Sequence, residues 1–262
     1  MDTALTAVRA GCAELARGRR KLAHIRTALK SPGDITTEID RAAEEAILTH
    51  IRAVYPSHAV IGEESGASGD SPCRWIVDPL DGTMNYVHGI AYYAVSVALK
   101  AHGDIVLGIV ADPARKELFS AVRGQGAYCN GKRLAVANRQ SLDEAVIGTV
   151  VPPPRWPGMD DYLGMFCRVA KGAGAMRRMG AAALDLAYVA AGRLDGFFVV
   201  SLKSWDIAAG SLLVQEAGGA VADVDGAGDP LRSNRLAAAN PALLPQLLRA
   251  LSPPCDQRSC TR

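Results

Sequence analysis

Apolar residues recur at helical spacing in two early stretches of the chain. Leu5, Val8, Cys12, Leu15 and Ala16 fall on one stripe and predict an opening amphipathic helix. Lys30-Ser31-Pro32-Gly33 breaks the pattern. Ile39, Ala43, Ala46, Ile47, Ile51 and Val54 form a second stripe, with Asp34, Thr36 and Thr37 as capping groups and Tyr55-Pro56 as its end. Residues 59–61 then read as a short apolar strand running into Glu63 and Glu64, followed by a turn-rich, mobile loop over 66–72. Residues 75–77 end a further buried strand. Segments 92–99, 105–110, 117–122 and 126–129 are strand-like, and turn signals at His102-Gly103-Asp104 and Asn130-Gly131 make them an antiparallel meander.

The texture changes near Ser141. Strands over 145–150, 175–178, 194–200, 220–224 and 236–239 alternate with helices over 162–170, 181–191 and 207–216, and Pro241 opens a last helix. A stiff Pro152-Pro153-Pro154 connector lies between the first strand and helix. This predicts an N-terminal α+β half, 1–140, with two helices and an antiparallel sheet, an α/β half, 141–252, and a flexible tail, 253–262.

Composition narrows the function by exclusion. The 262 residues carry 29 basic and 27 acidic side chains, a net charge of +2, which gives no footing to nucleic acid or an anionic membrane as partner. No apolar run approaches the ~20 residues of a membrane span, and Asp2 stands where a signal peptide has its basic region. Six cysteines, four of them scattered singly, fit a reducing cytoplasm better than a disulfide framework. Cys255 and Cys260 sit in the polar tail, where a zinc pair lacks two further ligands.

The candidate chemistry is concentrated in residues 75–86. Asp78 and Asp81 lie three apart across Pro79, followed by Gly82, Thr83 and Asn85. Hard oxygens at a strand end suit Mg²⁺, and a Gly-Thr pair beside them can offer N–H groups to a phosphate. Each acidic feature has a plainer reading. The Asp78–Gly82 run can be a turn, Asp40 can serve the helix dipole, Glu63 and Glu64 can be solvated surface, and Asp206 can be a helix cap. Four such features at element boundaries argue instead for one shared metal site, and a metal-dependent phosphatase.

Together with Asp34-Ile35-Thr36-Thr37-Glu38-Ile39-Asp40, Gly62-Glu63-Glu64-Ser65, Trp205-Asp206-Ile207-Ala208-Ala209-Gly210 and Glu216-Ala217-Gly218-Gly219, this stretch resembles the inositol monophosphatase family of Mg²⁺-dependent, lithium-sensitive phosphatases. The resemblance implies a layered αβαβα sandwich, commonly a homodimer. It implies that Glu63, Asp78 and the Leu80 carbonyl hold one Mg²⁺, that Asp78, Asp81 and Asp206 hold a second, and that Glu63 also faces a third position. Thr83, bonded to Asp40, would orient or deprotonate the attacking water for direct in-line hydrolysis. Asp81 and the N–H groups of Gly82 and Thr83 would contact the substrate, and Gly180, Ala181, Ala182, Val199 and Lys203 would meet its alcohol. Val199 stands where inositol enzymes often carry glutamate, and Ala181 where a hydroxyl is common, so strict inositol specificity is not expected. A small polyol or sugar phosphate such as inositol monophosphate is the implied substrate. Histidinol phosphate, fructose 1,6-bisphosphate and 3′-phosphoadenosine 5′-phosphate are the rivals. Some bacterial relatives are tied to RNA polymerase and ribosome biogenesis, so a binding role is the alternative from another class.

Overall fold

The computed structural model describes residues 1–253 except 23, 24, 32 and 227. The tail from residue 254, with Cys255 and Cys260, lies outside the described residues, as do the side chains of Ser31 and Asp34.

Helices α1 (Asp2–Arg19) and α2 (Glu38–Val54) form where the two stripes lie. Between them is a hairpin, β1 (Thr27–Ser31) with β2 (Asp34–Thr37), which pairs with neither large sheet. The expected break thus falls within a hairpin whose strands are too short and polar to show a period-two pattern. Thr37 caps α2, and Asp40 returns the bond to the Thr37 N–H at 2.9 Å, a capping box.

The first sheet comprises β3 (Ala59–Gly62), β4 (Gly66–Ser68), β5 (Cys73–Asp81), β6 (Ala94–Ala101), β7 (Asp104–Asp112), β8 (Glu117–Val122), β9 (Gly126–Cys129) and β10 (Lys132–Arg133). Their order is β10-β9-β8-β7-β6-β5-β3-β4. The meander is antiparallel as expected, but β3 and β5 run parallel, so the sheet is mixed. The stretch read as a loop over 66–72 opens with β4, which pairs antiparallel with β3 at the sheet edge. All three β4 residues are exposed, which is why no apolar pattern announced it.

The second sheet comprises β11 (Val146–Thr149), β12 (Ala175–Arg177), β13 (Gly196–Val199), β14 (Ala220–Ala222) and β15 (Leu236–Ala239), in the order β12-β11-β13-β15-β14. The first three are mutually parallel and β15 runs antiparallel to its neighbours. Helices α5 (Ala182–Ala190) and α6 (Ser204–Glu216) lie between the sheets, whereas α4 (Met159–Gly172) and α8 (Leu244–Leu251) cover the outer face of the second. Helix α8 begins three residues after the expected Pro241. A five-residue α3 (Thr83–Val87) and a four-residue α7 (Pro230–Ser233) complete the set.

Three apolar clusters define the layers. Val8, Leu15, Ile47 and Ile51 pack on Trp75, Val77, Val95 and Ile109. Leu186, Val189, Leu212 and Leu213 join Ile76, Val110 and Phe119 to Phe197 and Val199. Tyr162, Val169 and Leu247 cover Ile147 and Phe198. The result is the αβαβα sandwich. Its central helices are buried nearly all round, as a shared layer must be. Close approach needs glycine at two points. A Cβ at Gly108 of β7 would stand 2.8 Å from the Ala209 carbonyl oxygen of α6, and one at Gly210 would stand 2.5 Å from Leu186 Cβ. Among the described residues no helix is long and apolar enough to cross a membrane.

Candidate active site

Strand β5 decides the geometry. Residues three apart on a regular strand point to opposite faces. Here Asp78 pairs with Ser96 but Asp81 with Ala94, so one extra residue is inserted between the two acids. That bulge brings both carboxylates to one side, and Pro79, which has no N–H to pair, sits inside it. The run is a bulged strand end and not a turn. The Leu80 N–H donates to Asp78 Oδ1 at 2.9 Å, and the Ala183 N–H, at the start of α5, donates to Asp81 Oδ2 at 2.7 Å. Asp206 arrives from the first turn of α6, where its Oδ2 accepts the Lys203 N–H at 2.6 Å. Carboxylate oxygens of Asp78, Asp81 and Asp206 lie within 4.8 Å of one another.

Glu63 follows directly on β3, beside β5, and its N–H donates to the Val77 carbonyl at 3.2 Å. Burial, foremost, raises the carboxyl pKa values of Glu63, Asp78 and Asp81, and mutual repulsion adds to it for Asp78 from Glu63, Asp81 and Asp206. Lys30 on β1 is the nearest relief: its Nζ meets Glu63 Oε1 at 2.8 Å and also bonds Glu64. Buried, all-oxygen, mutually repelling carboxylates are the donor set of a hard divalent cation.

Glu64 itself points away from this cluster. It takes Thr36 Oγ1 at 3.0 Å and Lys30, and so anchors the hairpin. Glu44, which the sequence reading passed over, accepts the N–H groups of Glu64 and Ser65 at 2.9 and 2.8 Å and holds the turn after β3.

Thr83 opens α3, behind Gly82 at φ 90°. Its Oγ1 lies 2.9 Å from Asp40 Oδ1 and 3.0 Å from the Leu80 carbonyl oxygen. Asp40 is fully buried, and burial raises its pKa against the opposing hydrogen bonds from Thr37 and Thr83. A Cβ at Gly82 would come 3.1 Å from the Tyr92 carbonyl oxygen and 3.2 Å from Ala181 Cβ, so the left-handed glycine is also a spacer. Asn85 ties this corner to the second half by donating to the Tyr92 and Met179 carbonyls, both at 2.8 Å.

These groups surround a cleft of about 1050 Å³. Glu63, Asp78, Leu80, Asp81, Gly82, Thr83 and Asp206 line it, as do Gly180 and Lys203. Asp40 reaches the site through Thr83 rather than by lining the cleft. Ala181 and Ala182 are buried at the start of α5, and Val199 is fully buried between the sheets; none of the three lines the cleft. The lining also includes side chains that the sequence reading did not pick out: Trp156, Arg178, Ser233, Asn234 and Arg235.

Comparison with known proteins now bears on this geometry. The profile of the Inositol monophosphatase family matches residues 1–253. The chain belongs to that family. It is 44% identical to a Nus factor SuhB of Pasteurella multocida, over 97% of this chain and 96% of the relative. It is also 44% identical to an inositol-1-monophosphatase of Mesorhizobium japonicum, over 93% and 92%. The crystal structure of extragenic suppressor protein suhB from Bartonella henselae superposes with a TM-score of 0.93 at 41% identity, covering 97% of this chain and 99% of that one. The inositol monophosphatase family is generally metal-dependent, in keeping with the carboxylate cluster. Arg178 and Arg235 lie in short loops of this family member, and only their charge, with no periodicity around it, could have marked them.

Proposed function

We propose that this chain is a Mg²⁺-dependent phosphomonoesterase acting on a small polyol or sugar phosphate, such as an inositol monophosphate. The observation that carries this is the convergence of Asp78, Asp81, Asp206 and Glu63 on one cleft beside the Thr83–Asp40 pair. Glu63, Asp78, the Leu80 carbonyl, Asp81 and Asp206 would hold two to three Mg²⁺ ions. Bound there, Mg²⁺ neutralises the phosphate, eases deprotonation of the attacking water and steadies the leaving alkoxide.

The chain's own residues do the rest. When Thr83 gives its hydroxyl proton to Asp40, its oxygen is left as an acceptor for the attacking water. Burial makes Asp40 a stronger base than a surface aspartate, which suits it to take that proton. We assign the Gly82 and Thr83 N–H groups to a phosphate oxygen, with Gly82 supplying the left-handed backbone on which α3 begins. The test is phosphate release with Mg²⁺ across a panel led by inositol 1-phosphate, with Asp78→Asn as control. Turnover that needs Mg²⁺ and is lost in the variant supports the reading; turnover that survives Asp78→Asn sinks the metal assignment.

The Nus factor name carried by a relative at 44% identity favours a second reading, a docking role in transcription alongside catalysis. Stoichiometric recovery of RNA polymerase with both the wild type and the inactive Asp78→Asn variant is the result that would support it.

A further inference from the structure

A second cavity, of about 250 Å³, shares no lining residue with the cleft. Residues of β7, α6, β14 and α7 form its walls. Ile105, Leu212 and Ser211 are its buried lining, the last 7% exposed, and Asp104, Arg123, Gln215 and Asp229 are exposed around it. The charges there are already matched. Arg123 meets Asp104 at 3.4 Å and donates from Nε to the Ile105 carbonyl at 2.9 Å. Asp229 accepts the Leu231 N–H at 3.0 Å and meets Arg232 at 3.6 Å. Ser211 is not matched. A serine within a helix can bond the carbonyl one turn back, yet the Ser211 hydroxyl is buried with no hydrogen-bond partner among the described residues. A hydroxyl in that state is destabilising until something satisfies it.

Two helices reach both spaces. Trp205 and Asp206, at the head of α6, line the cleft, whereas Ser211, Leu212 and Gln215 of the same helix line the cavity. Pro230 and Leu231 of α7 line the cavity, and Ser233, at its end, lines the cleft with Asn234 and Arg235. We infer that the cavity is a second ligand site, for a small uncharged molecule with an apolar body and one amide or hydroxyl group, and that its occupancy is felt at the cleft through α6 and α7. The polar group would satisfy Ser211, and the body would cover Ile105, Leu212, Val221 and Leu231. A charged ligand would have to give up its water beside Ser211 while the surrounding ions are already paired with one another. The inference goes beyond the hydrolase reading and does not rest on it.

The experiment titrates the isotope-labelled full chain with three probes of similar shape and different charge, isobutyramide, isobutyrate and isobutylamine, and follows the backbone amide signals. Isobutyramide should shift the signals of Ile105, Leu212, Gln215 and Leu231 saturably. Half-saturation should be on the order of millimolar, the scale for a ligand of so few atoms. The two ions should bind at least about tenfold more weakly. The signals of Asp206 and Asn234 should move on the same titration curve, as coupling between the two spaces requires. Ser211→Ala should weaken isobutyramide several-fold without lowering the thermal midpoint of the free protein, since the hydroxyl it removes bonds nothing there. Shifts that do not saturate, or that scatter over the surface, overturn the inference. So does equal binding of the ions, undiminished binding by Ser211→Ala, or a lowered midpoint, which would make the hydroxyl structural. Saturable shifts confined to the cavity, with Asp206 and Asn234 unmoved, overturn it as well, because the cavity would then be isolated from the cleft.

Discussion

The acidic and the basic residues around the cleft are held on opposite terms. At the acidic end Asp40, Asp78 and Asp81 are buried, and each accepts a backbone N–H, from Thr37, Leu80 and Ala183. Asp206 takes a fourth from Lys203. Main-chain tethers set these oxygens before any ligand arrives, at the cost of crowding like charges away from water. By contrast, Arg178 and Lys203 of the cleft lining are exposed and lie just outside regular elements. They are long, hydrated and easily re-aimed. The first arrangement suits chemistry, which tolerates little displacement; the second suits recognition, which can be altered without disturbing the fold.

The sharpest way to break this contrast is Asp78→Asn. It should lower Mg²⁺-dependent phosphate release at least ~1,000-fold while the variant stays folded. In chelator its thermal midpoint should rise above that of the wild type, because a buried repulsion is gone. The sign follows from the raised carboxyl pKa values. The stability they contribute is full below the ordinary carboxylate range and is lost as pH climbs through the folded values. Chelated wild type should therefore lose stability from pH 4 upward, and Mg²⁺ should restore more of it at pH 8 than at pH 5. A midpoint that ignores Mg²⁺ at both pH values would count against the cluster as a cation site.

Thr83→Ala should slow kcat about a hundredfold with a smaller change in KM; the reverse split would remove Thr83 from the attacking water. Gly82→Ala forces a side chain at φ 90° and should cost about 1–3 kcal/mol in a denaturant titration. Asp185 is a milder probe. It is buried, with its pKa pushed up to about 7, chiefly by burial, and one oxygen takes the Tyr92 hydroxyl at 2.8 Å. Its stabilising share is complete below about pH 4 and fades by about 7. Asp185→Asn should flatten that slope, with midpoint changes on the order of a few degrees. Smallest of all, Arg178→Gln should move stability by less than about 0.5 kcal/mol, as expected of an exposed side chain. A large loss there would show Arg178 to be structural.

The acidic end was readable because its residues sit in short contiguous motifs where strands and helices begin and end. Asp78, Asp81 and Thr83 span six positions, and Asp206 occupies a helix's first turn. The bulge that aligns the two strand acids was not readable, since it depends on pairing with β6. Of Arg178, Lys203 and Arg235, only Lys203, which adjoins a motif, was legible. Val199 shows why. Strand β13 is buried on both faces, between α5 and α6 on one side and α4 and α8 on the other, so no alternation says which residue sees the cleft. The hairpin of β1 and β2 and the edge strand β4 escaped for the opposite reason, having too little buried surface to leave a pattern.

Gly108 lies on a sheet strand and takes no part in the cleft, yet it sets how near α6 can come to β7. Asp206 rides at the head of that helix, three residues before the contact at Ala209. A single added methyl at 108 is therefore a lever: pushing the helix off the sheet would carry a ligand carboxylate with it. The distance between oxygens in this centre is kept, in part, by an atom that is not there.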